Sequence, residues 1–230
     1  QQSRQPGSSI KPILDYSLAF ENLGWATSHV LTDKPMYMDS SKQNLVYNFS
    51  GKYVGDVTLK EAVGESINTT AIQTLQQVLD KKGYEYVVNY AQSLGYNFTL
   101  DDFNIQYAVG GSTCEVTPYQ HVAALAMLLN GGVYNTPHTI KKVEFTNGKA
   151  PISPTYESKQ VLSQQAAFLT TELLYSNVQT YGGSYAYVKT NYPVYAKTGT
   201  TDYGNSAKDL GVPSGATKDG WLIAGTSEYS

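Results

Sequence analysis

The chain has 230 residues, a formal net charge of −3 and only 15% charged residues. This length suffices for one large domain or two small ones, and the acidic balance argues against a nucleic-acid-binding protein, which presents a basic face. At 41% hydrophobic and 12% aromatic residues, the composition excludes a disordered chain. The single cysteine, Cys114, excludes internal disulfides and cysteine-cluster metal sites. No apolar run approaches the roughly 18 residues of a membrane span.

The two ends of the sequence lack the signals of natural boundaries. It begins at Gln1 without an initiator methionine or the apolar stretch of a signal peptide. Residues 221–225 form an apolar run that predicts a buried strand close to the other end. This pattern suggests a fragment of a longer protein.

Four segments have the signals of helices. Thr58 and Glu61 have the spacing of a capping box, and so do Thr117 and Gln120, where Pro118 adds a favoured first helical residue. The remaining two segments are predicted from apolar residues at helical spacing. Helices are expected over residues 58–64, 70–82, 117–130 and 163–177.

Strand signals are fewer. Residues 139–145 alternate between apolar and polar side chains and lead into an Asn-Gly turn. Residues 194–198 and 221–226 are the other predicted strands, and the Gly- and Ser-rich residues 201–220 between them are expected to form an exposed loop. The predicted fold class is α/β or α+β, with helices dominating the middle of the chain.

Ser8 and Lys11 are the first candidates for chemistry. The apolar residues after Pro12 predict a helix there, and residues three apart share a helix face. The Ser8 hydroxyl would lie near the positive helix N-terminus, and an amine of depressed pKa could take its proton. An isolated Ser-x-x-Lys is more often a capping serine with a solvated lysine.

Two further motifs follow in the chain. Ser66-Ile67-Asn68 offers a hydroxyl and an amide between two predicted helices, 58 residues after Ser8. Lys197-Thr198-Gly199-Thr200 follows a predicted strand 131 residues later, and its glycine would let a ligand approach the backbone closely. Each motif alone is ordinary, whereas the ordered set of three is specific.

This set resembles the motifs of the serine penicillin-recognising enzymes. The chain is most similar to the transpeptidase domain of a class A, bifunctional penicillin-binding protein of Gram-positive bacteria. The resemblance extends over nearly the whole chain and includes residues 4–12, 110–112, 117–120, 130–134 and 196–201. It implies one domain over 1–230 with the β-lactamase/transpeptidase-like fold: an antiparallel central sheet, incomplete in this chain, flanked by helices with a large helical subdomain.

The resemblance also implies a role for each motif residue. Ser8 would be the acylated nucleophile, Lys11 its base, and Ser66 the proton relay to the leaving amine. Asn68 would hold the substrate's side-chain amide, and Lys197 would help keep Lys11 neutral. The Thr198 and Thr200 hydroxyls would bind the substrate carboxylate beside Gly199. The oxyanion hole would consist of the Ser8 and Thr200 N–H groups, with no metal and no cofactor.

The implied activity is D,D-transpeptidation through a serine acyl-enzyme. The partners would be a D-Ala-D-Ala donor stem peptide, an amine acceptor and β-lactam antibiotics, with the missing segments of the protein as possible separate chains. The domain would work on the extracytoplasmic face of the membrane, anchored by a segment that this chain lacks.

Alternatives remain open from the sequence. A class A β-lactamase has Asp where this chain has Ile67, and its deacylating Glu-x-x-Leu-Asn motif has no match here. A D,D-carboxypeptidase shares all three motifs, and a penicillin-sensing receptor domain would acylate and stop. A cell-wall adhesin fits the tyrosine-rich composition. The tyrosines around Lys197 would either pack as amphipathic rings among other side chains or form an aromatic wall along the peptide groove. The three histidines do not fit the motif of a His-dependent serine hydrolase, and they do not have the spacing of metal ligands. His121 is expected to be structural.

Overall fold

The computed structural model describes residues 2–38 and 43–229 of the chain. Helices and antiparallel strands are mixed along it, which confirms the α+β reading. The α-helices are α1 Ser17–Leu23, α2 Leu59–Gly64, α3 Asn68–Lys82, α4 Tyr84–Ser93, α5 Pro118–Leu129 and α6 Gln164–Thr180. The strands are β1 Val30–Asp33, β2 Gly55–Thr58, β3 Val133–Asn135, β4 Ser158–Gln160, β5 Tyr195–Asp202 and β6 Thr217–Gly225.

The strands pair as three antiparallel ladders, β1 with β2, β3 with β4 and β5 with β6. The β5–β6 pair is the longest of these and runs from the Tyr195–Gly225 partners to the Asp202–Thr217 partners. α6 and the serine-bearing turn at Gly7–Ile10 both pack against β5. This ladder therefore links the last predicted motif to the first.

The helix caps predicted from sequence are confirmed. Thr58 and Glu61 form a complete capping box at the start of α2, and Thr117 and Gln120 form another at α5. Ser163 caps α6, as its position before the amphipathic run suggests. Caps are predictable because both partners lie within one turn of sequence.

Two sequence predictions are wrong. Residues 139–145 form no strand; they make a single antiparallel bridge, Val143 with Ile152. The apolar residues of that segment are exposed, so the alternating pattern has no core to face. The predicted loop over 201–220 is also too long, because β5 continues to Asp202 and β6 begins at Thr217.

The first motif lies at the start of a composite helix. A 3-10 turn at Gly7–Ile10 leads into a π-helical turn at Pro12–Tyr16 and then into α1. Pro12 has no N–H to donate, which is compatible with this wide turn. The composite helix is buried in the main hydrophobic core, where it contacts α3 and α6. In the described part of the chain, every helix is too short or too polar to cross a lipid bilayer.

Candidate active site

Ser8 lies on the 3-10 turn Gly7–Ile10, here called the serine turn. It is partly exposed and lines a groove of about 510 Å³, whereas Ser9 and Ile10 behind it are buried. Its hydroxyl makes no hydrogen bond to a residue within 2–38 or 43–229, and the Lys11 Nζ is bonded to the second motif instead. Catalytic hydrogen bonds commonly tighten only when the substrate is bound.

The serine turn packs backbone against backbone on β5. A Cβ at Gly199 would lie 2.3 Å from the Pro6 carbonyl oxygen, and a Cβ at Gly7 would lie 2.6 Å from the Thr200 carbonyl oxygen. Gly7 also has a φ of 53°, which glycine tolerates best. The sequence suggested that Gly199 leaves room for a ligand, but the backbone of Pro6 and Ser9 occupies that space.

Lys11 is fully buried, and within the described part of the chain the hydrogen bonds of its Nζ all go to the second motif. Its Nζ lies 2.7 Å from the Ser66 carbonyl oxygen and 2.7 Å from Asn68 Oδ1, with the Ile67 carbonyl oxygen at 3.3 Å. A neutral amine has two N–H donors and one lone pair. The two short bonds use both donors, so a neutral Lys11 keeps its lone pair for an incoming proton.

Ser66 lies between two lysines. Lys197 donates a hydrogen bond to its Oγ at 2.8 Å, and the Lys11 Nζ lies 3.5 Å from the same oxygen. The Ser66 hydroxyl can therefore accept from Lys197 while its own proton remains available for donation. Its φ of 56° is in the left-handed region, which is rare outside glycine, and such strain concentrates at functional sites.

Both lysines have depressed pKa values. Burial, followed by the nearby Lys197 ammonium, holds the pKa of Lys11 well below its usual value, while Asp15 opposes this shift. Burial alone lowers the pKa of Lys197 to about 7. Burial also raises the pKa of Asp15 well above the usual range, while the nearby Lys11 lowers it, so burial disfavours the charged form of this carboxyl. These shifts favour a neutral Lys11, as a general base requires.

Asn68 is held from both sides at the start of α3. Its Oδ1 accepts from Lys11, and its Nδ2 donates to the Tyr47 carbonyl oxygen at 2.7 Å. The first N–H of α3 is satisfied by Asn48, whose Oδ1 accepts from the Asn68 backbone at 2.9 Å. Asn48 is itself held by the buried Asp33 carboxylate at 2.8 Å. This support for the second motif had no signal in the sequence because its partners lie 20 or more residues away.

Thr198 and Thr200 line the groove with Ser8. They are two residues apart on β5 and therefore share a face, while Lys197 and Gly199 alternate with them and are buried. The Tyr185 hydroxyl accepts from the Thr198 backbone N–H at 3.3 Å and lies 3.3 Å from the Thr198 Oγ1. Of the tyrosines near Lys197, Tyr185 thus has a definite role in orienting the motif.

All eight residues predicted for the site lie around Ser66 or along the groove. Ser8, Ser66, Asn68 and Thr198–Thr200 line the groove itself, and the buried Lys11 and Lys197 reach it through Ser66. Cys114 is fully buried, His29 is partly exposed and His138 is exposed, and none of the three lines the groove.

A model of the family described as "Penicillin binding protein transpeptidase domain" matches residues 1–226. Penicillin-binding protein 1A/1B of Bacillus subtilis (strain 168) is 33% identical to this chain. The alignment is 234 residues long and covers 100% of this chain. The chain spans 25% of the length of that curated relative. The sequence resemblance therefore extends over the whole of this chain and a minor part of the longer protein.

Solved structures agree with the sequence matches. Penicillin-binding protein 1A from Haemophilus influenzae superposes with a TM-score of 0.73 at 25% identity, over 90% of this chain and 36% of that one. Penicillin-binding protein A from M. tuberculosis, in its penicillin G acyl-enzyme complex, gives a TM-score of 0.74 at 19% identity, over 91% of this chain and 50% of that one. The expected β-lactamase/transpeptidase-like fold is confirmed. The chain belongs to the penicillin-binding protein transpeptidase domain family.

Proposed function

We propose that this chain, as one domain over 1–230, is a D,D-transpeptidase that cross-links peptidoglycan stem peptides and is acylated and inhibited by β-lactams. One observation carries the proposal. The Ser66 hydroxyl lies 2.8 Å from the Lys197 Nζ and 3.5 Å from the Lys11 Nζ, beside the groove that Ser8 lines. A hydroxyl between two buried amines of lowered pKa is suited to moving protons during acyl transfer.

In the first step, the Ser8 Oγ attacks the carbonyl carbon of the penultimate D-Ala. Its proton passes to the lone pair of the neutral Lys11 as the C–O bond forms. The negative charge that develops on the carbonyl oxygen is stabilised by the backbone N–H groups of Ser8 and Thr200, whose segments are in direct backbone contact.

In the second step, the C–N bond breaks and the terminal D-Ala leaves as an amine. Ser66 donates its hydroxyl proton to that nitrogen and is reprotonated by Lys11, 3.5 Å away. Lys197 stabilises the transient negative charge on the Ser66 oxygen by its 2.8 Å hydrogen bond. Both Lys11 and Ser66 return to their starting states, and Ser8 carries the acyl ester.

The amine of a second stem peptide then attacks the ester carbon and loses a proton to Lys11. The new amide C–N bond forms, the ester C–O bond breaks, and Lys11 passes the proton to the departing Ser8 Oγ. A β-lactam follows the same two steps to the acyl-enzyme. Its leaving nitrogen remains tethered to the acyl group, so it stays in the groove and hinders attack by the acceptor amine. We place this activity on the extracytoplasmic face of the membrane, where the stem peptides are.

Covalent labelling tests the proposal. The protein is incubated with fluorescent penicillin and digested, and the labelled peptide is sequenced by mass spectrometry. We expect the label on Ser8 in the folded protein and no label after heat denaturation, since denaturation separates Ser8 from Lys11 and Ser66. Label on another residue, or no labelling of folded protein, would contradict the proposal.

A thioester donor with a D-amino acid acceptor separates transpeptidation from its alternatives. The proposed activity predicts an aminolysis product whose share rises with acceptor concentration. A carboxypeptidase would release mainly the hydrolysed donor, and a sensing domain would stop at the acyl-enzyme. Either of these outcomes would overturn the assignment as a transpeptidase while leaving the nucleophile unchanged.

Thr200→Val is expected to slow acylation by carboxylate-bearing β-lactams about 10- to 100-fold, because a hydrogen bond to a charged group contributes about 1.5–3 kcal/mol. The Thr200 side chain is exposed in the groove. The second-order acylation rate constant measures the effect. The matched control is Thr201→Val, whose hydroxyl already donates to Asp219 at 3.1 Å. Equal rates for the two variants would refute the role of Thr200.

A further inference from the structure

His121 lies in the first turn of α5, directly behind the serine turn. It is fully buried, and both ring nitrogens have partners: Nε2 lies 2.8 Å from the Ser9 Oγ, and Nδ1 lies 2.8 Å from the Tyr96 hydroxyl. The Trp221 ring, on the strand paired with β5, meets the imidazole edge to face at 5.5 Å between centroids. Every polar atom of this side chain is therefore engaged.

The hydrogens in this cluster can be placed by counting donors. The Ser9 Oγ lies 2.7 Å from the Pro6 carbonyl oxygen, which can only accept, so the single Ser9 hydroxyl proton lies on that bond. The Ser9 Oγ must then accept from His121, which places a proton on Nε2. Burial lowers the pKa of His121 to about 3, so the ring is neutral and Nδ1 accepts from the Tyr96 hydroxyl.

The result is a directed chain of three hydrogen bonds. Tyr96 donates to His121, His121 donates to Ser9, and Ser9 donates to Pro6. The last two members, Ser9 and Pro6, lie on either side of Ser8 in the sequence, and backbone atoms of both lie next to the position that a Cβ at Gly199 would take. This series of hydrogen bonds therefore ends on the segment that sets the direction of the Ser8 hydroxyl and of the Ser8 N–H.

We propose that His121, as its Nε2–H tautomer, is a positioning residue that anchors Ser9 and holds the serine turn against β5. The inference rests on the proposed role of Ser8 as nucleophile. A histidine that merely filled the core would need no particular tautomer, and its loss would lower stability without a specific effect on acylation.

Substitution with matched controls tests the acylation effect. His121→Met keeps an unbranched apolar volume but removes the Nε2–H donor, and His121→Gln supplies an amide donor in its place. We expect the limiting acylation rate of His121→Met to fall about 10- to 100-fold, because displacements near 1 Å have effects of this size. The dissociation constant of the initial β-lactam complex should change little. His121→Gln should recover most of the rate, and His138→Met, at an exposed histidine, should match wild type.

Nitrogen-15 NMR of the wild-type protein gives a second, independent readout. We expect His121 to be neutral, with its proton on Nε2. This measurement uses only wild-type protein, so it does not depend on whether His121→Met folds. The Nδ1–H tautomer, or a His121→Met protein that acylates at the wild-type limiting rate, would overturn the inference. If wild-type Ser8 is not labelled by penicillin, the proposed function fails instead, and the NMR result still stands by itself.

Discussion

Replacing Lys11 with alanine is expected to slow acylation of Ser8 by about 10²–10⁴-fold, the usual contribution of a positioned general base. Lys11 is the buried amine of lowered pKa closest in sequence to Ser8, and its lone pair is the acceptor for the Ser8 proton in the proposed mechanism. The measurement is the second-order rate constant for acylation by penicillin. Acylation of Lys11→Ala at near the wild-type rate would refute the role of Lys11 as the base.

The fold is expected to survive this substitution. Loss of the amine leaves two short hydrogen bonds unmade, to the Ser66 carbonyl and to Asn68 Oδ1, and each unsatisfied acceptor costs about 1–3 kcal/mol. Removing the buried amine also removes the cost of burying it, which offsets part of that loss. Rates are therefore compared well below the variant's thermal midpoint. Lys60→Ala, at an exposed lysine of α2, is the control.

Gly199→Ala is expected to slow acylation about 10²-fold and to lower the free energy of unfolding by about 1–3 kcal/mol. The new Cβ would lie 2.3 Å from the Pro6 carbonyl oxygen, 2.8 Å from the Ser9 backbone nitrogen and 3.0 Å from the Ser9 Cβ. Most of these contacts are backbone, so the serine turn and β5 must separate. That separation moves Ser8 relative to Thr198 and Thr200.

Gly220→Ala is the matched control for this prediction. Gly220 pairs with Thr200 across the β5–β6 ladder, and a Cβ there would have no atom within 4 Å. The Gly220→Ala substitution therefore makes the same chemical change in the neighbouring strand without a steric clash. Penicillin acylation rates and thermal midpoints are measured for both variants. If the two acylate equally fast, close packing at Gly199 is not what positions the serine turn.

Local features of the fold were predictable because their partners are close in sequence. The capping boxes at Thr58 and Thr117 each join residues three apart, and both form as predicted. The strand predicted over 139–145 does not form, because a strand depends on packing against residues outside its own segment. A strand of this kind needs a buried face, and the Ile140 and Phe145 side chains are exposed, so the segment forms only the single Val143–Ile152 bridge.

The chemical groups of the candidate site can be identified from the sequence, since Ser8, Ser66 and Lys197 lie in three short motifs that follow in a specific order. Their separations did not reveal that a single hydroxyl, Ser66, lies between both lysines. Nor did they reveal that His121, from another helix, supports the serine turn.

The behaviour of these groups depends on how the chain folds around them. The pKa values of Lys11 and Lys197 are lowered mainly by burial, and burial depends on segments that are distant in sequence packing around them. The direction of each hydrogen bond around His121 likewise depends on which partners lie within reach. The sequence therefore shows which side chains are present. Their protonation states and orientations depend on desolvation and on the distances between groups, and these arise only when the chain is folded.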